Sequence, residues 1–104
     1  MSVAEGVSTA QAGTVESMDC LVSVMQSQGG REIEISGSGA ARFKGAIESK
    51  IEGVLDELEH RYPGRTGDVK VTVQDNGAMD VVLGARIEAA FVRLMKRSEG
   101  GGAK

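Results

Sequence analysis

The sequence predicts an α+β fold: a two-layer sandwich in ββαβα order, with a small three-stranded sheet covered on one face by two amphipathic helices. Three observations predict it. Three short stretches alternate apolar and polar residues with a period of two, and two longer stretches carry apolar residues at spacings of three and four. Glycine, proline and asparagine punctuate the joins between them. A striped helix must bury its stripe, and the sheet is the main surface available for that.

The elements follow in order. Residues 1–11, MSVAEGVSTAQ, are small and polar without periodicity and read as a flexible leader before a domain at 12–97. The first strand is predicted over Thr14 to Met25, TVESMDCLVSVM, with Met18, Cys20, Val22 and Val24 on one face and Ser17, Asp19, Leu21 and Ser23 on the wetter one. Gln28-Gly29-Gly30 then supplies turn residues before REIEISG, where Ile33 and Ile35 alternate with Glu32, Glu34 and Ser36, so the two strands read as a hairpin. Ser38 or Gly39 starts a helix whose stripe is Phe43, Ile47, Ile51, Val54, Leu55, Leu58 and Tyr62, and Pro63-Gly64 ends it. DVKVTVQ, 68–74, is the last predicted strand, with Val69, Val71 and Val73 on one side. Asp75-Asn76-Gly77 leads into a second helix with Met79, Val82, Leu83, Ile87, Ala90, Phe91, Leu94 and Met95 on its apolar face. The last residues, 98–104, read as a flexible tail.

Composition excludes several function classes. A formal charge of -3 with no basic block does not suit nucleic acid, whose binding needs Lys and Arg along one face. No apolar run reaches the roughly 18 residues of a membrane span, and the first residues lack a signal-peptide pattern, which together point to the cytoplasm. Cys20, the single cysteine, rules out an internal disulfide and suits a reducing compartment.

Catalytic machinery is missing from the pattern. His60, the only imidazole, lies outside the helical stripe and has no metal-ligating companion at a usable spacing, so no metal site is expected. Ser17 has no base beside it in sequence, and no nucleophile elbow is present. The glycine-rich SGSGA, 36–40, enters a helix but lacks the lysine of a phosphate-binding loop. Glu16 and Asp19, three apart on a strand, would point to opposite faces and so would not form an acid/base pair. Cys20 falls on the apolar face as a packed thiol. The chain reads as a domain that is modified, carried or bound, with no catalytic residues of its own.

Two stretches carry a resemblance. GTVESMD, 13–19, and DNGAMDVVLGARIEAAF, 75–91, together resemble the citrate lyase acyl carrier protein, the γ subunit family, over about Ala10 to Met95. The resemblance implies that Ser17 is the attachment point of a covalent CoA-derived prosthetic group, 2'-(5''-phosphoribosyl)-3'-dephospho-CoA, held by a phosphodiester. Gly13, Thr14, Glu16 and Asp19 match the motif around it; Met18 stands where a small residue is expected. It further implies that the arm's thiol holds acetyl and citryl thioesters while partner subunits cleave citrate to acetate and oxaloacetate. Those partners would be an α acyl transferase and a β citryl lyase in a multi-copy hetero-oligomer, with a prosthetic-group transferase loading the serine. A citramalate lyase or related acyl lyase using the same carrier, or a small non-catalytic adaptor, are the alternatives. The likeness is not to the four-helix acyl carriers, because no D-S-L motif occurs and the serine falls on a predicted strand.

Overall fold

The computed structural model describes the backbone of residues 9–103 and the side chains of residues 9–97. Six elements follow one another: β1 (Thr9–Gly13), β2 (Cys20–Gln26), β3 (Glu32–Ser36), α1 (Ala40–Arg61), β4 (Val69–Asp75) and α2 (Asp80–Ala103). The α+β class and the two helices over one sheet agree with the sequence. The sheet differs: it has four strands in the order β1-β2-β4-β3, where three were expected.

Two corrections explain the difference. The expected leader ends inside β1, because Thr9–Gly13 pairs antiparallel with β2 from Thr9↔Met25 to Gly13↔Leu21. Its composition hid it: Ala10 and Ala12 are its only core side chains, at 1% and 5% exposure, and alanine carries little strand signal. Residues 1–8 of that leader lie outside the described residues. At the other end, α2 continues through the expected tail to Ala103.

The predicted hairpin is not formed. β4 lies between β2 and β3, antiparallel to the first and parallel to the second. A parallel pair needs a crossover, and α1 supplies it. Periodicity ranked the strand faces correctly but carries no information on which strands pair.

The faces themselves are as predicted. Cys20, Val22, Val24, Val69, Val71 and Val73 are each buried to 1% or less against the helices. Ile47, Ile51, Leu55 and Leu58 of α1 and Leu83, Ile87, Ala90, Phe91, Leu94 and Met95 of α2 complete one core cluster. Phe91 and Tyr62 meet edge to face, with ring centroids 5.5 Å apart. α2 lies over β1 and β2 while α1 packs beside it and reaches β3. Three predicted stripe members fall outside the core: Phe43 and Met79 are 53% and 59% exposed, and Val82 is half-buried. Phe43 has φ −126° and ψ 20°, so the first turn of α1 is irregular there and the ring leaves the stripe.

α2 also closes the edge of the sheet. The Arg93 guanidinium donates to the Gln11 carbonyl, and that of Arg97 to the Thr9 carbonyl, which covers edge-strand acceptors that would otherwise invite another chain. Far from this edge, Arg31 ties the β2–β3 connection to α1 through Glu52 and Asp56 and to the buried Thr66.

Phe91, fully buried where α2 meets Tyr62, gives the test of this core. Phe91→Ala is expected to lower stability by about 3–5 kcal/mol, a large part of the roughly 5–15 kcal/mol a domain possesses. Urea unfolding followed by circular dichroism measures it.

Candidate functional site

Strand order decides where the site is. Gly13, Leu21, Gln74 and Ser36 form one row across the four strands, so the segments leaving that row, 14–19, 37–39 and 76–79, emerge together at one end. Ser17 is in the first of them. It stands in a turn between β1 and β2, not on a strand, and is exposed. The expected sharing of a strand face by Ser17 and Asp19 is therefore corrected, as is Met18's place beside Cys20: Met18 is 70% exposed. TVESMD alternates as a strand does, yet the Asp19 N–H donates to the Glu16 carbonyl at 3.2 Å and folds the segment back.

Each residue around Ser17 has a mechanical role. Gly13 has φ +99°, and a side chain there would start 1.9 Å from the Cys20 carbonyl oxygen, so only glycine fits. The Thr14 hydroxyl donates to Asp19 Oδ2 at 2.8 Å and accepts from the Glu16 N–H at 3.2 Å. Asp19 also accepts from the Cys20 N–H at 2.7 Å. Met18 takes φ 65°, a left-handed conformation that is disfavoured by roughly 1–2 kcal/mol for a residue with a side chain. Glycine, and occasionally asparagine or aspartate, adopts that conformation readily. The Met18 N–H is held by the Asn76 carbonyl at 2.7 Å.

The turn is anchored from afar by α2. Arg86 Nε and Nη2 donate to the two Asp19 oxygens at 3.1 and 3.2 Å, a two-point contact between charged groups. Arg86, then the Thr14 hydroxyl and the Cys20 N–H, hold the Asp19 carboxyl down at about 2. Asp19 is thus ionised and fully engaged, and it has no capacity left to take a proton from Ser17. The acid/base pairing with Glu16 is excluded on these grounds; the strand geometry first invoked against it does not apply. Burial pushes the Cys20 thiol up to about 11, with the Asp19 and Asp75 charges acting in the same sense.

Asn76 joins the three segments. Its Nδ2 donates to the Val15 carbonyl at 2.5 Å, its backbone N–H to the Asp19 carbonyl at 3.0 Å, and its Oδ1 accepts from the Ser38 N–H at 3.2 Å. Asp75, 4% exposed, receives the Ala78 N–H at 3.1 Å and the Gly77 N–H at 3.4 Å. The SGSGA glycines serve the same junction: a side chain on Gly39 would begin 1.9 Å from Asp75 Oδ2. A carboxylate held that close is unsuited to phosphate, so this glycine-rich entry is a packing device.

Amid these contacts the Ser17 hydroxyl makes no hydrogen bond among the described residues. His60 is exposed on α1, at the helix end remote from Ser17. No group of three or more metal-ligating side chains occurs among the described residues, and no helix there is long and apolar enough to cross a membrane. Sequence reasoning missed Asn76 and Arg86 as parts of the site. Both lie in the second motif, 75–91, and that co-occurrence was the available signal.

An exposed turn that offers an unbonded hydroxyl and is held by Asp19, Arg86 and Asn76 suits a module that carries an attached group. The family model of the malonate decarboxylase delta subunit, MdcD, matches residues 7–94, and the chain belongs to this acyl carrier family. It is 43% identical over 84 residues to the citrate lyase acyl carrier protein of Haemophilus influenzae, covering 81% of each chain. To the protein of the same name from Treponema denticola it is 33% identical over 81 residues, 78% of this chain and 85% of the other. A Pseudomonas malonate decarboxylase hetero-tetramer solved with malonate contains a chain of similar fold, with a TM-score of 0.52 and 23% identity over 84% of both chains.

The clamp makes a pH prediction. The Asp19 carboxyl titrates lower in the folded protein than its ordinary 3.8. Its contribution to stability is therefore complete above the ordinary value and is lost as pH falls from there toward about 2. Arg86→Met is expected to move the Asp19 midpoint upward toward 3.8, read by carboxyl-carbon NMR titration. With its thiol at about 11, Cys20 is expected to react with iodoacetamide at pH 8 far more slowly than a free cysteine of ordinary pKa, about 8.5.

Proposed function

We propose that this chain is the acyl carrier subunit of citrate lyase, holding 2'-(5''-phosphoribosyl)-3'-dephospho-CoA through a phosphodiester on Ser17. The observation that carries the reading is the unengaged, exposed Ser17 hydroxyl on a turn that both family motifs build together. The residues fit such a group. The hydroxyl is free, nothing needs to be displaced to reach it, and the Asp19 carboxylate of the same turn is neutralised by Arg86, which lessens repulsion of an incoming phosphate.

In attachment, Ser17 Oγ loses its proton to a base supplied by the modifying enzyme and forms the O–P bond as the donor's leaving group departs. Once bound, the group supplies a thiol that carries acyl units as thioesters. The chain's own part is to hold the arm's root still: Asp19, Arg86, Thr14 and Asn76 fix the turn while the arm swings between partners. Those partners are the α acyl transferase and the β citryl lyase, in a multi-copy hetero-oligomer, with a prosthetic-group transferase as loader. The same reading places the protein in the cytoplasm.

A second reading is the equivalent carrier of malonate decarboxylase, favoured by the description of the matching family and by the fold of the Pseudomonas chain. Citrate lyase is preferred because relatives at 30–43% identity carry that name, whereas the malonate decarboxylase chain is 23% identical and speaks for the fold alone.

Co-expression with a citrate lyase prosthetic-group transferase is expected to add the mass of the group to the chain, and Ser17→Ala to abolish the addition without loss of fold. An unmodified wild-type chain under those conditions refutes the assignment. Reconstitution with citrate lyase α and β subunits, assayed on citrate and on malonate with the malonate decarboxylase subunits in parallel, separates the two readings.

A further inference from the structure

The end of the molecule that bears Ser17 also holds a cavity. It has a volume of about 290 Å³ and lies between the first turns of α1 and α2, walled by Phe43, Ala46, Ile47 and Leu83 with Asp75 and Asp80 at its polar side. Gly77 forms part of the wall, and the position a side chain would take there is 3.8 Å from the Met18 N and Cα atoms. The glycine leaves no side chain between the residue after Ser17 and the cavity. Asn76, bonded to both the Ser17 turn and Ser38, keeps the two in fixed relation.

Size and charge select what enters. Binding pockets for drug-sized ligands begin at about 300 Å³, so this one takes a short chain end and has no room for a nucleotide. Its carboxylates repel phosphate, and its aliphatic and aromatic walls suit a neutral chain of methylene, amide and thioester groups. Phe43, 53% exposed on its irregular turn, loses apolar surface to water when such a chain lies against it.

We propose that this cavity is the resting site of the neutral end of the arm: the thiol terminus with its short acyl unit folds back over Met18 and Gly77 and lies between α1 and α2. This rests on Ser17 being the attachment point. The acidic side keeps the phosphates outside. The apolar walls keep water from the thioester carbonyl, where its attack breaks the C–S bond to release the carboxylic acid and the free thiol.

A probe that does not depend on Ser17 tests it. S-acetylpantetheine is titrated into unmodified wild-type protein and into Ser17→Ala, with amide NMR shifts as the readout. A tether supplies an effective concentration in the millimolar range, so saturable shifts at Ala46, Ile47 and Leu83 are expected by about 20 mM probe. Ala46→Phe, which fills the cavity from an exposed helix position, is expected to weaken these shifts about tenfold with the melting temperature unchanged; should it unfold, Ala46→Leu serves instead. In the loaded, acetylated protein the same variant is expected to speed thioester hydrolysis several-fold while the added mass on Ser17 stays the same. Absence of saturable shifts, shifts that ignore the filling variant, or loaded-protein shifts confined to 14–19 overturn the proposal. So does a filling variant that loses only partner binding, which assigns the cavity to a partner side chain. A missing mass on wild-type Ser17 refutes the attachment reading instead, and the free-probe titration still decides the cavity.

Discussion

The placement of β4 between β2 and β3 is the constraint from which the rest of the molecule follows. A strand paired antiparallel on one side and parallel on the other forces α1 to cross over the sheet, since parallel neighbours cannot be joined by a tight turn. It also sets the turn after β1, the entry to α1 and the entry to α2 side by side at one end. Segments far apart in sequence thereby become neighbours, and the Asn76 bond to Val15 spans 61 positions. Exchange β3 and β4 and the Ser17 turn would have no Asn76 to hold it.

Upon that frame, the Asp19–Arg86 contact turns a loop into a mount. Exposed ion pairs generally contribute little. This one is two-point, its carboxylate side chain is only 15% exposed, and the remaining acceptor positions of Asp19 are taken by Thr14 and the Cys20 N–H. Its effect is positional. By drawing Asp19, the Thr14 hydroxyl and the Cys20 N–H into the turn's own scaffold it leaves the Ser17 hydroxyl unengaged among the described residues, and it removes Asp19 as a base. Under the proposed attachment both effects serve a carrier: the hydroxyl is presented, and Asp19 is not available to attack the linkage.

Apolar exposure adds a further pattern. Val15, Met18, Phe43, Met79 and Val81, the large apolar side chains most open to solvent among the described residues, all sit at the Ser17 end. The opposite end, where Arg31, Glu52, Glu59 and Thr66 interlock, is polar and closed by hydrogen bonds. The molecule thus has a polar, hydrogen-bonded end and an end with exposed apolar side chains.

By itself the sequence determined the two helical stripes, the inward faces of β2 and β4 and, through two separated motifs, the family. These are local properties: a period of 3.6 or 2.0, like a motif, is written in consecutive residues. Strand order, the fourth strand and the true setting of Ser17 were decided only in three dimensions. Ala10 and Ala12 become strand residues because β2 offers them an edge. TVESMD, which alternates like a strand, becomes a turn because Gly13 reverses the chain and Asp19 finds Arg86 across 67 positions of sequence. Pairings of that kind have no local signature, so the family motif around Ser17 was legible while the turn that presents it was not.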